Sequence, residues 1–199
     1  MRRHAFKDLM MPRIFHSLII LPLLVLAACQ TPDIPFLKKD VILQCPNYFI
    51  LEDAAALTQY REGPSRDITD VEFRAQIGEM ELTCLTEVDP DSNSGSMTIE
   101  VSPIIAAEMG PANQIESATI PYFVIVTDPN KEILYREELV VDVSFKLNKT
   151  QVIFKAPPTS IEIPITPTIR SKYYLIYSGF ELTRDQVEDN RKAIRDRLQ

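Results

Sequence analysis

The chain has 199 residues, a formal net charge of −7 at pH 7, and 45% hydrophobic and 25% charged residues. This composition is typical of a folded globular chain, and the excess of acidic residues disfavours binding to nucleic acid, whose phosphates are also negative. We therefore expect no nucleic-acid partner.

The first 28 residues have the pattern of a secretory signal peptide. A basic N-terminal stretch precedes an apolar run from Leu18 to Ala28. That run is much shorter than the roughly 20 residues that a membrane-spanning helix needs. The pattern predicts that residues 1–28 are removed, which leaves 21 − 4 = 17 basic and 28 − 1 = 27 acidic residues and a net charge of −10.

A cysteine directly follows the apolar run. The stretch Leu26-Ala27-Ala28-Cys29 resembles the lipobox of bacterial lipoproteins, in which the cysteine receives a diacylglycerol and becomes the first mature residue. The alternative is a chance cysteine after an ordinary signal peptide. Each buried CH₂ contributes about 0.8 kcal/mol, so two or more acyl chains make a durable anchor. The resemblance predicts a membrane attachment at Cys29.

The residues after Cys29 predict where the anchor lies. By resemblance to the sorting of Gram-negative lipoproteins, Gln30 in place of an aspartate favours the outer membrane, with the protein facing the periplasm. Prolines at positions 32 and 35 interrupt the polar stretch that follows. Residues 29–44 are therefore predicted to be the lipidated cysteine and a short tether.

Histidine is confined to the predicted signal peptide, at His4 and His16. The mature chain then has no histidine for Ser-His-Asp or Cys-His catalysis or for a zinc site. The sequence also contains no GxSxG, SxxK, P-loop or dinucleotide-binding motif. We expect a protein that is not an enzyme and uses no cofactor.

Two cysteines remain in the mature chain, Cys45 and Cys84. Disulfides form and persist in exported proteins, so a Cys45–Cys84 bridge is predicted. Two separate buried thiols are the alternative.

Alternating apolar residues predict a β protein. The alternation from Val71 to Ile77 resumes out of phase from Met80 to Cys84, which predicts a β-bulge near Gly78. The stretch from Ile120 to Thr127 is apolar on both faces, as in a central strand or one that is partly covered on its outer face.

About seven short strands follow one another without βαβ alternation, although residues 54–57 could form a helical turn. Together they predict one antiparallel β-sandwich over residues 45–182, Ig-like or fibronectin-like in the broad sense. The prolines around Ile161 to Ile165 favour an edge position for that strand. The predicted strands cover residues 48–51, 71–84, 97–101, 120–127, 139–147, 161–165 and 173–182.

The last residues, 183–199, predict a charged α-helix. Thr183 and Gln186 have the spacing of a capping box, and neither Gly nor Pro occurs from Arg184 to Leu198. Such a helix could dock on a partner or lean, solvated, on the sandwich. The narrow apolar stripe favours the second arrangement.

One loop contains oxygen ligands at spacings similar to those of an EF-hand, namely Asp89, Asp91, Asn93 and Glu100. However, the glycine, Gly95, stands at position seven instead of six. We therefore predict a solvated hairpin loop and no metal site.

Several short stretches of the mature chain resemble an uncharacterised family of envelope lipoproteins from alphaproteobacteria. The resemblance implies an envelope location and a single domain, and it brings no site residues. The stretches are Cys45-Pro46, Asp67–Val71, Met109–Ala112, Tyr122–Val124, Gly179–Thr183 (GFELT) and Asn190-Arg191.

These features predict a non-catalytic, membrane-anchored periplasmic lipoprotein that binds another envelope component, such as a protein. The alternative is a ligand- or cation-responsive accessory lipoprotein, or a hydrolase that uses carboxylates. Convergence of several acids in one pocket would favour the alternative. The acids in question are Glu52, Asp53, Asp67, Asp70 and those of residues 89–100.

Overall fold

A computed structural model describes residues 43–63, 65–145 and 149–199. The predicted signal peptide, Cys29 and nearly all of the predicted tether lie outside the described residues. The strands are β1 (Asn47–Ile50), β2 (Ala56–Tyr60), β3 (Val71–Asp89), β4 (Ser94–Met109), β5 (Ser117–Thr127), β6 (Ile133–Ser144), β7 (Gln151–Lys155), β8 (Thr159–Ile165) and β9 (Leu175–Phe180). Three 3₁₀ helices (Glu52–Ala54, Ile68–Asp70 and Ser171–Tyr173) and one α-helix, α1 (Arg184–Arg197), complete the described elements.

The strands form two sheets, which confirms the prediction of an all-β, sandwich-like fold with a C-terminal helix. The four-stranded sheet has the order β1-β9-β5-β6, and the five-stranded sheet has the order β2-β3-β4-β7, with β8 also paired to β4. Two expectations need correction. β1 pairs with β9 in parallel, and β3 is a strand of 19 residues, so the strands are neither all antiparallel nor all short.

The core lies between the inner faces of the two sheets. Alternate residues of β3 point into it, and the register passes from Ile77↔Ile105 to Glu79↔Ile104, leaving Gly78 as the extra residue. Because this residue shifts the alternation by one, Met80 is buried like Ile77. The predicted β-bulge is confirmed.

β5 lies between β6 and β9, and it is buried on both faces. Tyr122 and Val124 face the core, while Phe123 and Ile125 join Ala54 in a smaller cluster on the outer face. Both interpretations of its apolar sequence are therefore confirmed.

The disulfide between Cys45 and Cys84 is confirmed, with 5.8 Å between the two Cα atoms. Cys45 precedes β1 of the four-stranded sheet, and Cys84 lies in β3 of the five-stranded sheet. The bridge therefore joins the two sheets covalently.

The predicted helical turn over residues 54–57 is wrong in its second half. The 3₁₀ helix ends at Ala54, and Ala56 and Leu57 begin β2, where they pair with Gln76 and Ala75 of β3. Alanine favours helices only weakly, and strand pairing with β3 outweighs that preference.

Helix α1 begins at the predicted capping box of Thr183 and Gln186 and has no buried residue. It contacts β2 through polar groups. The Gln186 side-chain amide donates to the Thr58 carbonyl (3.1 Å), and the Asn190 amide donates to the carbonyls of Ala56 (2.7 Å) and Asp53 (3.0 Å). The helix thus leans on the sandwich and covers the edge strand β2.

Across the described ranges, no helix has both the length and the apolar content needed to cross a bilayer.

Candidate functional site

The strand registers define two ends of the sandwich. Cys45, the β3–β4 hairpin turn, the β5–β6 turn and the β8–β9 connection lie at one end, which we call the proximal end. The β2–β3 and β4–β5 connections lie at the opposite, distal end.

An open cleft with a volume of about 580 Å³ lies at the distal end, between β2 and β3 on one side and the β4–β5 connection on the other. Buried Phe73 and Ala118 contribute apolar surface. The polar side chains around it are those of Gln59, Arg61, Glu72, Asn113, Gln114, Ser117 and Thr119. A cleft with apolar surface and a few polar groups is the usual form of a binding site.

The wall of the cleft is held by backbone hydrogen bonds to the start of β3. The Gly110 amide donates to the Glu72 carbonyl (2.8 Å), and the Ala112 amide donates to the Val71 carbonyl (2.9 Å). A Cβ on Gly110 would lie 2.1 Å from the Val71 carbonyl oxygen. Glycine is required here because the two backbones approach so closely.

Asn113 fixes the shape of the loop above the cleft. Its side-chain amide donates to the Ser117 carbonyl (2.8 Å), and its side-chain oxygen accepts from the Ile115 amide (3.2 Å). Ile115 is then held 78% exposed at the loop tip. Ile115 itself lines the cleft.

Arg61 is held at the cleft by an ion pair with Asp70, which is buried in the 3₁₀ helix before β3. The Arg61 amide also donates to the Asp70 carbonyl (2.9 Å). A hydrogen bond from the Ser65 side chain and then the Arg61 charge lower the pKa of Asp70, although burial opposes them. Asp70 therefore remains a carboxylate, and most of the Arg61 side chain stays exposed to a ligand.

The other candidate acidic residues identified in the sequence do not line the cleft beside Asp70. Asp53 accepts hydrogen bonds from Arg191 of α1 (2.7 and 3.0 Å), and Asp67 caps the 3₁₀ helix by accepting from the Ile68 amide. Glu52 is exposed in the 3₁₀ helix after β1. Among residues 43–63, 65–145 and 149–199, no three His, Cys, Asp or Glu side chains are grouped to hold a metal ion.

The EF-hand-like loop is a tight hairpin turn. Asp89 pairs with Ser94, and the Asp91 amide donates to the Asp89 carboxylate (2.8 Å). Glu100 lies within β4, opposite Thr83, so the strand carries it away from the turn and from Asn93.

The glycine of that loop has a role in packing. A Cβ on Gly95 would lie 2.0 Å from the Glu87 carbonyl oxygen of the paired strand β3. Close backbone approach explains why glycine stands at this position.

Sequence reasoning did not identify the cleft, because its polar residues come from strands and loops that only the stacking of the sheets brings together. The one available signal was the stretch Met109–Ala112, whose glycine packs on Val71. Comparison of the chain with protein-family models, with curated proteins and with solved structures finds no match.

Proposed function

We propose that this chain is a non-catalytic lipoprotein, anchored through Cys29 in the outer membrane, that binds another component of the cell envelope in its distal cleft. The observation that carries the proposal is the distal cleft itself, which lies at the end opposite Cys45 and is lined by amide groups, the Arg61 guanidinium and the Glu72 carboxylate.

The position of the cleft suits an anchored binding protein. Strand β3 begins at Val71, next to the cleft, and continues past Cys84. Val71 and Cys84 are separated by roughly 40 Å along the strand, at about 3.3 Å per residue. A tether that leads from Cys45 to a lipid on Cys29 holds the proximal end near the membrane. The distal cleft is then presented to the periplasm.

The chemistry of the cleft favours recognition of an extended chain with carbonyl and carboxylate groups, as in a protein segment. The Asn113 side-chain amide is engaged within its own loop. The Gln114 side-chain amide can donate and accept hydrogen bonds, and Arg61 can bind a carboxylate with two parallel hydrogen bonds. Because the acids of the described residues are dispersed, binding is better supported than hydrolysis.

We further propose that the sandwich is Ig-like or fibronectin-like in the broad sense. Two sheets enclosing one core and joined by a disulfide support this assignment. In such folds, the loops at one end of the sandwich commonly recognise partners.

Photocrosslinking in intact cells tests the proposed binding site. A photoreactive amino acid is introduced at Gln114 in the cleft or, as a matched control, at exposed Glu162 on β8. We expect the cleft variant to capture one defined envelope protein and the control to capture none. Capture of the same protein at both positions, or at Glu162 alone, would contradict the proposal.

A further inference from the structure

Large apolar and aromatic side chains are exposed at the proximal end of the sandwich, on the four-stranded sheet and on the connection that leads from β8 to β9. Each is between 38% and 57% exposed. We call this set the proximal apolar surface. It consists of Tyr48, Phe49, Ile133, Leu134, Ile169 and Tyr173.

The strand registers place the strand residues of this set at the same end of the four-stranded sheet. Asn47 pairs with Leu175, Leu175 with Thr127, and Thr127 with Ile133, so one row of residues crosses the whole sheet. β1 and the start of β6 contribute side chains within or next to this row. The β8–β9 connection, which contributes the remaining two, leads directly into Leu175.

The chain leaves the sandwich beside this surface. Cys45 lies two residues before β1, and Leu43 packs against the core. From there to Cys29 the chain can extend over at most roughly 50 Å, at about 3.5 Å per residue. A lipid on Cys29 therefore keeps this exit point within roughly 50 Å of the bilayer, a distance that allows the proximal apolar surface to contact it.

The polar groups of the surface match a membrane interface. The Lys172 ammonium lies 5.2 Å from the centre of the Tyr173 ring, and Arg170 and Lys131 belong to the same two connections. Tyrosine and lysine have apolar bodies and polar tips, which suits them to the headgroup region. The carboxylate of Asp128 is engaged in its own turn, where it accepts from the amides of Asn130 (2.9 Å) and Glu132 (2.8 Å).

Acidic side chains at this end belong to both sheets. Asp128 and Glu132 lie in the β5–β6 turn of the four-stranded sheet, and Asp89 and Asp91 lie in the β3–β4 hairpin of the five-stranded sheet. Because carboxylates remain in water and avoid phosphate headgroups, contact with lipid has to be made by the apolar and cationic side chains.

We propose that the proximal apolar surface rests on the lipid bilayer that holds the anchor, with Tyr173 and Ile169 in the headgroup region. This proposal rests on the anchoring proposed above. It adds a second attachment, which fixes the orientation of the sandwich and points the distal cleft away from the membrane.

The chain contains no tryptophan, so a single introduced tryptophan reports its own surroundings. The full chain is purified from the cell envelope and reconstituted in phosphatidylcholine vesicles with and without brominated acyl chains. The Tyr173→Trp variant should have blue-shifted emission and should lose most of it in brominated vesicles. The Ile169→Trp variant should behave in the same way. Ile115→Trp, at the distal end, is the matched control and should keep its emission.

The outcomes separate this proposal from the anchoring on which it depends. If the chain floats with the vesicles but both proximal reporters are not quenched, the surface contact is wrong and the anchor stands. If the chain does not float with the vesicles, both are wrong. Equal quenching of the distal reporter overturns the orientation. A blue shift that follows protein concentration and not brominated lipid assigns the surface to a second copy, which also overturns the proposal.

Discussion

The proximal end of the sandwich is closed by a covalent bond between the sheets, whereas the distal end is closed by hydrogen bonds between a loop and a strand. At the proximal end, Cys45 is bonded to Cys84. At the distal end, Gly110 and Ala112 donate to carbonyls of β3. This difference indicates that the two ends suit different tasks. The disulfide resists separation of the sheets at the proximal end, whereas the loops of the distal end can carry recognition groups.

The two ends also differ in the chemistry of their exposed side chains. The proximal end exposes aromatic and aliphatic groups with a few cations, and the distal end exposes amides and a guanidinium beside buried Phe73. Apolar groups suit contact with lipid, and amides suit directed hydrogen bonds to a ligand.

The largest expected effect follows from removing the proposed attachment at Cys29. Replacing Cys29 by alanine removes the sulfur that we propose accepts the lipid, so Cys29→Ala should leave the protein unprocessed or soluble in the periplasm. Cell fractionation and immunoblotting measure this outcome. Gln30→Asp is the matched control, which should stay lipidated but move towards the inner membrane. Recovery of Cys29→Ala in the outer membrane at mature size would refute the anchor.

The next largest effect should come from removing the disulfide at the proximal end, a change that leaves the distal cleft in place. The Cys45→Ser/Cys84→Ser double variant should lose about 3 to 4 kcal/mol of unfolding free energy, because the bridge no longer restricts the unfolded chain. Urea unfolding measures the loss. Hydrogen exchange should rise first around β1. An unchanged denaturation midpoint would show that the two sheets hold together without the bridge.

Whether a feature could be predicted from the sequence depends on how far apart along the chain its interacting residues lie. The β-bulge at Gly78, the Thr183 capping box and the disulfide were predictable because local periodicity, a three-residue spacing and the parity of cysteines report them directly. The parallel pairing of β1 with β9 joins residues far apart in the chain, and no local pattern specifies it.

The binding cleft was less predictable than the fold for the same reason. Gln59 belongs to β2, and Asn113 and Gln114 belong to the β4–β5 connection. Only the packing of the two sheets brings these groups together. The strand β7 also escaped prediction, because its five residues alternate too briefly to stand out.

A smaller effect concerns helix α1, which leans on the edge strand β2. Asn190→Ala removes one hydrogen bond to Ala56 of β2 and one to Asp53 of the preceding 3₁₀ helix, and it should lower the unfolding free energy by about 1 to 3 kcal/mol. Thermal or urea unfolding provides the measurement. Lys192→Ala, at an exposed position of the same helix, should have little effect. Because alanine raises helix propensity at both positions, equal losses in the two variants would show that the hydrogen bonds of Asn190 are not the cause of its effect.

The smallest effect is a loss of stability at acidic pH that depends on Asp70, at the distal end. The folded-state pKa of Asp70 lies below its ordinary value of 3.8, so ionised Asp70 stabilises the fold above that pH. This contribution is lost as the pH falls through the lower folded-state pKa. Wild type should therefore lose more stability in this window than Asp70→Asn, as measured by unfolding midpoints against pH. Glu162→Gln should follow wild type. Parallel curves for Asp70→Asn and wild type would contradict the role of the ion pair.

We propose that the proximal end contacts lipid while the distal end binds an envelope partner. The most direct test of this proposal places a photoreactive amino acid at Ile115 in one variant and at Ile169 in another, followed by irradiation of intact cells and mass spectrometry of the products. We predict a protein adduct at position 115 and a phospholipid adduct at position 169. A protein adduct at 169, or a phospholipid adduct at 115, would contradict the account.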